Sequence, residues 1–209
     1  MGWERGSGQL SVELTSLLHQ RWSSRVFDPE HVLSDEQLQT VLEAARWSPS
    51  AGNSQPWSFI VGRRGEPTHE QIVSALSRGN SFWAPRASAI LISLEQRGTD
   101  AESGDFYYSD YAAYDLGQSA AHLTVQAMSM GLGVHQFAGF DHEKLTELFE
   151  VPAHWSVTTG IAIGKLAAVE SIEDSEPSLA AKERRPRERK PLSEFIYEGR
   201  FGQQARWLR

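Results

Sequence analysis

The stretch Ala87 to Leu94 (Ala-Ser-Ala-Ile-Leu-Ile-Ser-Leu) is the strongest constraint on what this chain can fold into. A strand that met water on one side would alternate polar and apolar residues. This one is apolar almost throughout, as a strand buried on both faces is. It therefore belongs inside a sheet with structure packed above and below it.

The flanking sequence supplies helical patterns for those layers. Ser11 is placed to cap a first helix with Leu14, Leu17 and Leu18 on one face. Ser34-Asp35-Glu36-Gln37 reads as a capping box, followed by Leu38, Val41, Leu42 and Ala45 at helical spacing. Trp57 to Val61 is a short strand, and Thr68-His69-Glu70-Gln71 reads as a second capping box. Residues 96–105 form a polar stretch expected to be an exposed, mobile loop. The longest helix is expected from about Tyr108 to Met130, with Ala112, Leu116, Ala120, Leu123 and Ala127 inward and many small residues, as in a core or dimer helix. Gly131 and Gly133 end it; Val134 to Phe140 is extended; Asp141 caps a short helix; Val157 to Gly164 is a final core strand. The order ααβαβαβαβ fits an α+β fold with a central sheet flanked by helices. Residues 167–209 are expected to form an extended C-terminal arm, with Pro191 to Tyr197 as a closing element.

At 209 residues the chain reads as a single domain, 1–209, with residues 1–10 a flexible, polar, Gly-rich N-terminus. A net charge of −7 argues against a general nucleic-acid or membrane-surface binder. No apolar run approaches 18 residues, so no transmembrane helix is expected. The absence of cysteine removes disulfides and thiol chemistry, and a cytoplasmic location is the default expectation. One basic run, Lys182 to Lys190, carries a net +4 within nine residues.

Between the second helix and the first strand lies Arg46-Trp47-Ser48-Pro49-Ser50-Ala51-Gly52-Asn53-Ser54-Gln55-Pro56-Trp57. Its residue types suit a plain turn and equally a loop that presents several donors and acceptors to a planar polar ligand. The segment Ser-Pro-Ser-Ala-Gly-Asn-Ser-Gln-Pro-Trp resembles the signature loop of the FMN-dependent nitroreductase family. So do Arg21-Trp22-Ser23-Ser24-Arg25-Val26-Phe27 upstream, the segment from Gly131-Leu132-Gly133 to Phe140-Asp141, and Arg189-Lys190-Pro191-Leu192. The resemblance spans about residues 16–197.

The resemblance implies an α+β nitroreductase-like fold with a mixed, mainly antiparallel sheet. It implies a homodimer with FMN at the subunit interface and an arm that wraps the partner. NAD(P)H would be a transient electron donor, giving hydride to flavin N5 in a ping-pong cycle that reduces nitroaromatics, quinones or related planar acceptors. Arg21, Trp22, Ser23 and Arg25 match the phosphate-binding segment; read alone, the two arginines are surface charges after a helix. Arg189 and Lys190 match the second phosphate contact, with Arg187 as a substitute should the register differ by two. Pro49, Ser50, Ala51 and Asn53 match positions along the flavin from the partner subunit, and Asn80 matches a contact to its pyrimidine ring. Trp83 stands where some relatives have a basic residue. Gln136, Phe137, Ala138 and Gly139 match the segment over the isoalloxazine, with the backbone of Ala138 or Gly139 near N5.

Trp47 and Trp57 read as core packing. No catalytic side chain is demanded, and no metal ligand spacing is seen; a lone His135 is more often a structural group than a catalyst. Alternatives are a flavin-storage protein without turnover, a relative with another reductive task such as dehalogenation or enone reduction, and an interaction protein docking through its basic arm.

Overall fold

The structure, a computed structural model, describes residues 13–99 and 109–208. Ser11, most of the polar 96–105 stretch and Tyr108 lie outside the described residues. Helices α1 (Ser16–Gln20) and α2 (Asp35–Arg46) precede strand β1 (Trp57–Arg63), followed by α3 (Pro67–Ser74), β2 (Ala89–Gln96), α4 (Ser109–Ser129), β3 (Gly133–Phe137), α5 (His142–Leu148), β4 (Trp155–Gly164) and α6 (Pro177–Glu183). The predicted ααβαβαβαβ order is reproduced, with α6 added in the arm.

The sheet order is β1-β2-β4-β3, and every pairing among these strands is antiparallel. The parallel pair that a mixed sheet needs is not found among the described residues. Seven of the eight β2 residues are buried, as its composition requires. Its side chains alternate between two cores. Ile90, Ile92 and Leu94 join Val26, Phe27, Ile72, Trp83, Phe137 and Leu145 on one face. Ala89 and Leu91 join Val41, Ala45, Leu123, Ala127, Ile161 and Ile163, under α2 and α4, on the other. A bulge between Ser93 and Leu94 pairs Leu94 with Val157, passing over Thr158. An extra residue in one strand shifts the alternation by one, which is why Val157 and Ala162 share a face although one is odd and the other even.

Local signals were read correctly where they act locally. Ser34 Oγ accepts from Gln37 N while Gln37 Oε1 accepts from Ser34 N, a complete capping box. The second box at Thr68 does not form: Pro67 occupies the first helical position, so the helix begins two residues earlier than a Thr68 cap would give, with Glu66 before it and no side-chain cap. The expected face of the first helix is not buried: α1 begins only at Ser16, after Leu14, and Leu14 and Leu18 are exposed while Leu17 is half-buried. The arm is folded at its start. Val169, Ile172, Leu179 and Ala180 pack into the core beneath β2, whereas 184–190 is exposed apart from Arg187.

Gly160 in β4 illustrates how tightly this face is filled. A Cβ there would lie 2.4 Å from Phe137 Cζ. Gly160→Ala is expected to destabilise the fold by about 1–3 kcal/mol through overpacking, read as a lower urea midpoint at unchanged slope.

Candidate functional site

Three clusters carry the residues singled out from the sequence. The first is electropositive. Arg21 Nη1 donates to Ser23 Oγ at 3.0 Å, holding residues 21 and 23 on one side. The arm brings Arg187 and Arg189 to the same place. Burial, and then the neighbouring Arg189, lower the Arg21 pKa; burial, Arg21 and Arg189 lower that of Arg187. No carboxylate figures in either balance. Arg187 Nη1 donates to the His19 carbonyl, and its guanidinium lies 5.9 Å from the Trp22 ring centroid. Its Nε is buried without a hydrogen-bond partner. Neighbouring guanidiniums with an unsatisfied buried donor suit an anion with several oxygens, which planar arginine forks bind through paired, charge-assisted bonds. The set fits a terminal phosphate such as that of FMN. Lys190 is exposed and makes no hydrogen bond or ion pair with the described residues, and Arg187 as well as Arg189 lies near Arg21.

The basic run is thus divided by its surroundings. Arg184 forks onto Glu173 with two bonds of 2.9 Å. Glu183 turns inward, where it accepts from Trp22 Nε1 at 3.1 Å, Ser24 Oγ at 2.9 Å and Arg25 N at 2.9 Å. Nothing local in the sequence distinguished this carboxylate from its charged neighbours.

The second cluster lies at the end of β3. His135 is buried, and its ring lies 4.4 Å from that of Trp83, tilted by 43°. Its Nδ1 is 3.0 Å from the Ser24 carbonyl, which can only accept, so Nδ1 carries the proton. Trp83 is fully buried and donates to Gly79 O and Asn80 Oδ1. The Arg25 guanidinium lies 6.0 Å from the Trp83 ring centroid, so a cation stands beside the tryptophan even though none replaces it. Asn80 is held at both ends of its amide, accepting from Trp83 and donating to Gly139 O at 2.9 Å. Ser77 N also donates to Gly139 O. The Ala138 and Gly139 N–H groups have no hydrogen-bond partner among the described residues. Phe137 is core, packed edge-on against Trp83 and Phe140. Gln136 points to the other face and donates to Thr124 Oγ1 at 3.1 Å. From this stretch, the N–H groups of 138–139 are open to a ligand, and the Gln136 side chain is exposed on the other face.

The third cluster is the loop at 48–55. Gly52, Asn53 and Gln55 all have positive φ, between 50° and 57°. Buried Asp115 of α4 accepts from Ala51 N at 2.9 Å and Ser50 Oγ from Gln55 N at 3.0 Å. Ser48 Oγ meets His122 Nδ1 at 2.6 Å, so His122 anchors the loop. Pro49 and Asn53 are exposed, Ser50 and Ala51 half-buried. Trp47 is 74% exposed, its Nε1 bonded to Glu43, contrary to the core role expected of it. It follows the last turn of α2 two residues after buried Ala45, hence on the opposite face. Among the described residues, no hydrogen bond links this loop to the arginine cluster or to Gly139.

The Nitroreductase family model matches residues 18–77. A provisionally named NAD(P)H nitroreductase of Staphylococcus epidermidis is 36% identical over 176 residues, covering 67% of this chain and 79% of that protein. The chain belongs to the nitroreductase family. An uncharacterized 15.4 kDa protein of Mycolicibacterium smegmatis is 34% identical over 155 residues, covering 69% of this chain and 97% of its own. A crystal structure of an oxidoreductase containing FMN superposes with TM-score 0.84 at 32% identity, over 94% of this chain and 96% of that one. This nitroreductase-family chain has no helix among the described residues that is long and apolar enough to cross a membrane, and no cluster there that would hold a metal ion.

His31, His69 and His135 all have pKa values lowered from 6.5, in each case chiefly by burial. A histidine kept neutral in the fold takes up a proton more readily when unfolded. Its contribution to stability is present above 6.5 and is lost as pH falls below that value. The urea midpoint is expected to drop between pH 7 and pH 5, before the carboxylates titrate; a flat profile there would exclude the neutral assignment.

Proposed function

We propose that the chain is an FMN-dependent NAD(P)H oxidoreductase whose acceptors are nitroaromatics, quinones or related planar compounds. The observation that carries this is the arginine cluster, with its unpartnered Arg187 Nε, in a chain of the nitroreductase family. When bound, FMN supplies the hydride relay between the nicotinamide donor and the acceptor.

The residues of the chain bind and orient. Arg21, Ser23, Arg187 and Arg189 hold the phosphate. Arg25, beside Trp83, places positive charge near the ring system. The free N–H groups of Ala138 and Gly139 are fixed donors for negative charge developing on the flavin, since Asn80 and Ser77 hold the Gly139 carbonyl from behind. Donors that need no reorganisation are worth most in a site closed to water. No side-chain acid or base is required.

The loop Pro49–Asn53 is rigid but apart from these groups within one chain. A homodimer in which a second copy brings its loop to the flavin completes the site. Exposed Tyr111, Tyr114 and Trp47 with Ala113, Gly117 and Ala121 along α4 supply an apolar face for it.

The purified protein is expected to be yellow and to bleach anaerobically with NADH or NADPH, then recover with a quinone or nitroaromatic. A colourless protein that FMN cannot reconstitute would overturn the assignment. Arg21→Ala is expected to weaken FMN binding by about 1.5–3 kcal/mol, the size of a charged hydrogen bond. Flavin retained through gel filtration by an Arg21→Ala, Arg25→Ala double variant would remove the phosphate role from this segment.

A further inference from the structure

We propose that Glu183 is a positioning residue that shapes the phosphate site from behind; the inference rests on the FMN reading above. Glu183 is 1% exposed at the end of α6. Burying a carboxylate is costly unless its oxygens are satisfied. Here they accept from Trp22 Nε1, Ser24 Oγ and Arg25 N. The sign of the charge makes the placement informative: a carboxylate beside an anion site opposes binding through space, so its benefit is geometric.

The geometry follows from the period of extended chain, in which successive side chains point to opposite sides. Glu183 takes the side chains of residues 22 and 24. That leaves 21, 23 and 25 on the other side, and Arg21 and Ser23 do meet there. Ser24 Oγ also accepts from Val26 N, which extends the fixed backbone by two residues. On the arm itself, Arg187 follows Glu183 by four residues and lies against the Trp22 ring, so carboxylate and guanidinium bracket one indole. A single side chain thereby sets which residues of 21–25 face the ligand and where Arg187 and Arg189 enter.

The test compares FMN with riboflavin, which lacks the phosphate. Full-length chain stripped of flavin is titrated with each, following quenching of flavin fluorescence. Glu183→Gln, with a native circular-dichroism spectrum, is expected to lower the preference for FMN over riboflavin by about tenfold or more, the effect of a charged hydrogen bond, while riboflavin affinity stays near wild type. A preference that is unchanged or increased, as loss of a repelling charge alone would give, overturns the proposal. So does equal weakening for both flavins, which marks a merely structural role. Should Glu183→Gln not fold, Trp22→Phe removes one donor and keeps an aromatic ring. A severalfold fall in preference at unchanged thermal midpoint supports the proposal, and an unaltered preference overturns it. A wild-type chain that binds both flavins equally would instead defeat the phosphate reading itself.

Discussion

The backbone of β2 is engaged sideways by β1 and β4 along its whole length. Its two faces are then left with only apolar contact to make, and each must be covered. That one constraint divides the molecule into a layer of α2 and α4 and a layer of α3, α5, α6 and the start of the arm. It also divides the candidate site. The loop at 48–55 hangs from α2 and is pinned to α4, on one face of the sheet. Trp83, His135 and the segment 22–26 belong to the other. Groups that resemble parts of one ligand site are separated by the sheet that holds them in place.

The electrostatics are as local as the packing. A run of six basic residues would be a diffuse surface feature if all its members were solvated. The fold gives them different partners. Arg184 is neutralised by exposed glutamates, which contributes little to stability. Arg187 and Arg189 are set against Arg21, where positive charge is concentrated. Net charge is therefore a poor guide to this protein; at −7 overall it gathers cations at one small spot.

What the sequence made legible were features whose cause lies within a few residues. The Ser34–Gln37 box, the spacing along α4 and the apolar run of β2 each declare themselves because helix and strand periods are short-range properties. Thr68 misled because the residue before it, Pro67, is better suited to start a helix. Trp47 misled because a large aromatic suggests core, whereas the period of α2, carried two residues past buried Ala45, turns it outward. Glu183 and Asp115 were illegible for another reason. Their partners are more than sixty residues away, and a buried carboxylate is spelled no differently from an exposed one. The loop, the arginine segment and the backbone at 138–139 were recognised as motifs, whereas the lack of any partner for those two N–H groups became visible only once their neighbours' bonds were known.

Those two N–H groups have an implication for variation. A donor that belongs to the main chain persists whatever side chain is attached to it, proline excepted. Ala138 can change identity, and the surface above it can be remodelled, while the hydrogen-bonding pattern offered to a ligand stays the same. Gly139 is less free, since a Cβ would lie 2.6 Å from Asn80 Nδ2. What these two donors can offer a ligand is set by the path of the main chain and not by any one side chain.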